Sequence, residues 1–131
     1  MMNFFSKYKI IFYFVNFFLI FLYLFPGSLL GYVIYKDINT QPQITSNFII
    51  SSNHFYSFVL ISVIGFLTFI RLKQNKYLII YLISLSIILE LFHLIISARS
   101  FQWSDLFGNL SGVIVVISIY HFIRKYALFK K

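Results

Sequence analysis

Four apolar runs separated by short polar links constrain this chain more than any other feature: Ile10 to about Leu30, His54–Ile70, Tyr77–Ile96 and Asp105–Ile123. A bilayer core about 30 Å thick takes about 20 apolar residues of helix. The predicted fold is therefore an all-α membrane protein, with four transmembrane helices packed as an antiparallel bundle in one domain over residues 1–131. Hydrophobic residues make up 60% of the chain and mean hydropathy is +0.88. A soluble domain of this size has too little interior to hide that much apolar surface.

Two boundaries stay open at this stage. Pro26-Gly27 interrupts the first run, so its helix either continues to Leu30 or stops near Phe25 and leaves 27–35 as an interfacial piece. The loop 36–53 is expected to be irregular, with a short surface helix around Phe48–Ile50. Lys7 and Lys9 ahead of an apolar run resemble a signal peptide. The run is longer than an h-region and no small-x-small site follows it, so the first helix is expected to be retained.

The net charge of +8 invites a nucleic-acid reading, which the placement of the charges opposes. Lys7, Lys9, Arg71, Lys73, Lys76, Arg124, Lys125, Lys130 and Lys131 account for nine of the eleven basic residues, and all fall on one side of the membrane if the four runs span it. Only Lys36 and Arg99 fall on the other. The positive-inside rule then puts both termini in the cytoplasm. The excess charge reads as a topology signal and a contact with anionic lipid headgroups, not as a nucleic-acid patch. Tyr8, Tyr77 and Tyr126 near one boundary, with Tyr35 and Trp103 near the other, fit headgroup-level aromatic belts. The chain has no cysteine, which excludes a disulfide framework, a thiolate nucleophile and a Cys-ligated metal.

Against this background the polar residues stand out. Glu90 lies six residues from the end of the third run, about 9 Å deep. A carboxylate there is costly unless paired, solvated or protonated. His93 shares its helix face at i+3. Asp105, Asn109 and Gly112 form a stripe on the fourth run, and a short loop carrying Arg99 makes the two runs neighbours. His54 begins the second run at the same depth. These groups from three helices are expected to converge on one outward-facing pocket, with Arg99 hanging above Glu90, Asp105 and Asn109 as acceptors.

The spacing Glu90-x-x-His93-x5-Arg99-x5-Asp105-x3-Asn109-x2-Gly112 resembles the signature of the VanZ-like family, small bacterial integral membrane proteins named after one linked to teicoplanin resistance. The family pattern has Glu, then Gln at +3, Arg at +9, Asp at +15, Asn at +19 and Gly at +22, and every offset is kept here. His93 replaces the Gln. His54-Phe55-Tyr56-Ser57-Phe58 is similar to the family's His-Phe-x-x-Tyr element, with Phe58 for the Tyr. The Asp-Lys pair common before that His is replaced by Ile50 and Ser51. The resemblance covers roughly 54–112. It implies a multi-pass protein of the bacterial cytoplasmic membrane with an envelope role, tied loosely to glycopeptide susceptibility or to polysaccharide and lipid-linked glycan processes. It implies no settled activity.

Each residue has a plainer reading. Glu90 can be a structural ion pair, His93 a packed hydrogen-bonding histidine, His54 an interfacial residue, and Asp105 a helix-dipole and capping residue. Asn109 reads as an interhelical hydrogen-bond partner and Gly112 as a point of close helix approach. Gly27 and Gly31 read as a bend rather than a dimer face, and His121 as interfacial. No cofactor and no metal are expected, because Arg99 among these groups opposes a divalent cation and no H-E-x-x-H motif exists. Three functions fit: a non-enzymatic protein binding a lipid-linked glycan, lipid headgroup or peptide carboxylate; a membrane enzyme with Glu90 or His54 as base and Arg99 on phosphate; or a helical subunit whose cluster only holds it together. The first is preferred, since no nucleophile-plus-base pair is evident.

Overall fold

The computed structural model describes residues 2–69 and 75–128, with side chains for 8–69 and 75–127. Ile70, Arg71, Lys73, Lys130 and Lys131, and the side chain of Lys7, lie outside the described residues. The described chain is all-helical: α1 (Met2–Leu24), α2 (Leu29–Tyr35), α3 (Ser52–Phe69), α4 (Asn75–Phe92) and α5 (Trp103–Leu128). Helices α3, α4 and α5 are each long and apolar enough to cross a membrane, and α1 with α2 makes a fourth candidate, bent by 84°.

The bend follows from local sequence. Pro26 disfavours helix at the residue before it, and Gly27 turns the chain at φ +100°. Ser28 then caps α2, its Oγ accepting from Gly31 N at 2.9 Å. Lys36 in the left-handed region ends it, donating back to the Tyr32 carbonyl. A Cβ on Gly31 would lie 1.6 Å from the Thr40 carbonyl oxygen, so Gly31 lets the loop cross α2. Of the two open readings of the first run, the structure takes the interrupted one.

The other boundaries shift by a few residues. α4 stops at Phe92, short of Ile96. His93, Leu94 and Ile95 donate to carbonyls three residues back, tightening the last turn, and Ala98 at φ 63° leads the chain away. Glu90 therefore sits in the last turn of α4, nearer its end than expected. Residues 48–50 form bends rather than a surface helix. The loop backbone is instead held by side chains: Asn53 Oδ1 accepts from Ile44 N at 3.0 Å and Asn53 Nδ2 donates to the Pro42 carbonyl at 2.7 Å.

The core is a column of Phe12, Leu19 and Tyr23 on α1, Phe58, Ile61 and Phe66 on α3, Leu78, Leu82, Leu85 and Leu89 on α4, and Val113 and Val116 on α5. Helices α3 and α5 form the most extensive pair. Glycines set that distance: a Cβ on Gly108 would come 2.7 Å from the Ser51 carbonyl oxygen, and one on Gly112 2.6 Å from that of Phe55. Gly112 stands where α5 comes closest to the α3 backbone at Phe55. Large apolar side chains point outward along the helices, among them Phe14, Phe17, Leu60, Ile80 and Ile119. Such a girdle suits lipid, not water.

Candidate functional site

The polar side chains gather where the C-terminal ends of α1 and α4 meet the N-terminal ends of α3 and α5. Tyr23 comes from α1, His54 from the first turn of α3, Glu90 from the last turn of α4 with His93 just beyond it, and Asp105 and Asn109 from the first turns of α5. Glu90 and Asn109 are fully buried, and His54 and His93 nearly so. Burial among apolar helices obliges each polar atom to find a partner.

The bonds have a defined direction. The Ser86 carbonyl can only accept, so Asn109 presents Nδ2 to it at 3.1 Å. Asn109 Oδ1 then faces the Tyr23 hydroxyl, which donates at 2.8 Å, and His54 Nδ1 at 3.0 Å. His54 must carry its proton on Nδ1 to make that bond. Its Nε2 is left facing Asp105 Oδ2 at 3.5 Å. In the same way the Tyr23 carbonyl can only accept, so His93 donates from Nε2 at 3.0 Å. Its Nδ1 is left facing Glu90 Oε2 at 3.3 Å. Two imidazole nitrogens with no proton of the neutral ring therefore confront two carboxylate oxygens. Glu90 Oε1 accepts from Gln102 N at 3.0 Å, while its buried Oε2 accepts no hydrogen bond among the described residues. Each facing pair calls for a positive species: an added proton or a cation.

Arg99 departs from expectation. It makes no ion pair with Glu90 or Asp105 among the described residues. Its Nε donates to the Phe25 carbonyl at 3.1 Å, and its Nη2 to those of Leu22 at 3.2 Å and Gly27 at 2.6 Å. Those carbonyls end α1 and turn the chain toward α2, so they lack helical donors, and the negative end of the α1 dipole points at the guanidinium. They outcompete the carboxylates for Arg99. Partial burial pulls the guanidinium below its ordinary pKa, while Asp105 and Glu90 act in the opposite direction.

The structure thus brings together His54, Glu90, His93, Asp105 and Asn109 and sets Arg99 beside them. Sequence reasoning missed Tyr23, whose hydroxyl and carbonyl both enter the network and whose ring meets those of His54 and His93 at centroid distances of 5.0 and 6.0 Å. Its place three residues before Pro26, at the polar end of the first run, was the available signal. Phe58, in the position where the resemblance has a Tyr, packs edge-on against the Tyr23 ring. His121 lies far along α5, exposed, with Nδ1 on the Ile117 carbonyl at 2.8 Å.

A cavity of about 300 Å³ adjoins the cluster. Its lining includes the polar Tyr23, His54, His93 and Arg99 and the apolar Leu22, Leu29, Leu30 and Ile34. One donor atom from each of His54, Glu90 and Asp105 lies within 4.8 Å of the others, a set able to hold a metal ion. No family model, no curated protein and no solved structure matches this chain.

Proposed function

We propose that the chain is a VanZ-like integral protein of the bacterial cytoplasmic membrane that binds an anionic amphiphile through its polar cluster. The ligand class is a lipid-linked glycan, lipid headgroup or peptide carboxylate. The observation carrying this reading is the adjoining cavity, whose lining combines the cationic Arg99 and hydrogen-bonding side chains with apolar ones. Arg99 is the donor for the anion: Nε and Nη2 are held by carbonyls, which fixes the guanidinium plane and leaves Nη1 free of any hydrogen bond among the described residues. The leucines and Ile34 receive the proximal part of an acyl chain.

The charge distribution supports an arrangement of four spans, antiparallel in sequence order, with both termini in the cytoplasm. The pocket then faces outward, toward the envelope, and the basic links and C-terminus lie against anionic headgroups on the cytoplasmic side. A second reading, a membrane enzyme acting on a lipid-linked substrate, is favoured by the histidine–carboxylate pair of His54 and Asp105. In it, His54 or Glu90 is the base.

The test is one isogenic set of strains carrying the wild-type chain, no chain, Glu90→Gln, Arg99→Ala or Asn109→Ala, with membrane abundance measured throughout. Teicoplanin and general envelope-stress susceptibility are the readouts. The proposal expects the strain without the chain to differ from wild type, and Arg99→Ala at normal abundance to behave like it. If the strain lacking the chain matches wild type, the envelope reading fails. If every substituted chain disappears from the membrane, the cluster is scaffolding.

A further inference from the structure

The sequence spoke against a metal because Arg99 was expected among the carboxylates. The structure ties Arg99 to the carbonyls of Leu22, Phe25 and Gly27 instead. That leaves two carboxylates, Glu90 fully buried and Asp105 largely so, with no basic side chain but histidines in contact among the described residues. We propose that His54, Glu90 and Asp105 bind one divalent transition-metal cation.

Four independent features of the cluster point to it. The hydrogen-bond directions leave His54 Nε2 as a lone pair toward Asp105, which is the form in which imidazole ligates. The separation of that nitrogen from Asp105 Oδ2 is 3.5 Å, against an edge of about 3.4 Å for a tetrahedral site with bonds of about 2.1 Å. Glu90 offers a carboxylate oxygen to the same donor set, and its buried Oε2 has no hydrogen-bond donor among the described residues, so a cation at this carboxylate supplies a partner it lacks. Finally, two of the ligands are themselves held from behind. His54 donates its Nδ1–H to Asn109 Oδ1, and Glu90 Oε1 accepts from Gln102 N. Ligating histidines and carboxylates are characteristically oriented by such bonds.

The donor set is one imidazole and two carboxylates, which suits zinc or manganese better than a soft ion. Its two negative charges match a divalent cation, removing the desolvation penalty that the carboxylates carry when unpaired. Three protein donors leave a fourth position open. A second cavity of about 160 Å³, walled by Gln41, Gln43, Asn53 and Gln102, reaches His54 and Asp105 and gives an ion its path. His93, with its Nδ1 at 3.3 Å from Glu90 Oε2, lies beside the set. The inference does not depend on the amphiphile reading, since the ion alone is the ligand.

The test uses the full chain purified in detergent, stripped with chelator and titrated with zinc, with bound metal counted after dialysis. Cobalt, whose visible spectrum reports nitrogen–oxygen ligation, is the second probe. The expected result is one zinc per chain, a rise in Tm with zinc, and affinity weakened at least tenfold in Asp105→Asn and Glu90→Gln. His121→Asn, which removes an exposed histidine elsewhere, leaves binding unchanged. Asp105→Asn keeps the test sound if Glu90→Gln does not fold, because Asp105 is the less buried of the two; helicity and monodispersity are checked for both. The proposal is overturned if folded wild type takes up no stoichiometric zinc, meaning that protons alone occupy the facing pairs. It is equally overturned if zinc binding survives Asp105→Asn and His54→Gln.

Discussion

Asn109 donates from Nδ2 to the Ser86 carbonyl at 3.1 Å, and that bond orients its other end toward Tyr23 and His54. Three helices therefore converge on one carboxamide. Asn109→Leu removes both halves at once and strands the Tyr23 hydroxyl and the His54 N–H. Hydrogen bonds between membrane helices are individually worth about 0.6–2 kcal/mol, and stranded buried groups cost about 1–3 kcal/mol each. The expected loss is about 2–4 kcal/mol, read by reversible unfolding in mixed micelles. A loss below about 0.5 kcal/mol would show that the network carries little of the stability.

Gly112 faces the Phe55 carbonyl across the α3–α5 contact, where a Cβ would sit at 2.6 Å. The obstacle is backbone, which cannot rotate aside. Gly112→Ala should separate the two helices and destabilise by about 1–3 kcal/mol. Gly65 is the control: a Cβ there meets the ends of the Leu78 and Phe12 side chains at 3.1 Å, which can move. Gly65→Ala should cost less than Gly112→Ala under the same unfolding assay, and the reverse order would contradict the packing described.

Arg99 joins the loop after α4 to the end of α1. Arg99→Ala should release the bend at Pro26-Gly27, seen as faster hydrogen exchange at Ser28 N, which now donates to the Ile38 carbonyl at 2.7 Å. Arg99→Lys should restore only part of the protection. A single ammonium cannot reproduce a planar fork that reaches three carbonyls. Full restoration by Lys would mean that charge near the α1 terminus, not fork geometry, holds the bend.

Asp37 organises the loop after α2: Thr40 Oγ1 donates to it at 2.6 Å and Asn39 N at 2.9 Å. These bonds favour the ionised form and hold its pKa below the ordinary carboxylate value. Because the folded pKa is depressed, the contribution to loop order is present above the unfolded value of about 3.9 and lost as pH falls through the folded one. Carboxyl NMR should show the lowered value, and Thr40→Ala should raise it.

The chain contains no cysteine, so single Cys substitutions report topology without background. Phe48, 93% exposed in the 36–51 loop, and Lys125 on α5 should lie on opposite sides of the membrane. An impermeant maleimide applied to intact cells should label Phe48→Cys and spare Lys125→Cys. Labelling in the opposite pattern would invert the proposed orientation.

Much of the site was legible because the residues in it are expensive where they are. Glu90, His93, Asp105 and Asn109 interrupt apolar runs at helical spacing, and nothing in a bilayer tolerates such groups singly. His54 was legible by depth. Tyr23 was not, because a tyrosine in an apolar run reads equally as belt or core until its hydroxyl is placed. The bend after Leu24 could be located from Pro26-Gly27, yet the early end of α4 had no comparable marker: Leu94, Ile95 and Ile96 continue the apolar pattern while the backbone abandons it.

The sequence by itself determined that this chain is helical and apolar enough for a membrane, because helices satisfy their backbone internally and 20-residue apolar runs have no other favourable solvent. It also marked Glu90, His93, Asp105 and Asn109 as side chains in need of partners, since isolated polar groups in such runs are costly. Only the tertiary structure decided how they meet. Hydrogen-bond direction is set by carbonyls that can only accept, Ser86 and Tyr23, and these lie 23 and 70 residues from the side chains they orient. The partner of Arg99 was decided the same way: the unsatisfied carbonyls at the end of α1 stand 72 to 77 residues earlier in the chain, and they claimed a guanidinium that local spacing had assigned to carboxylates.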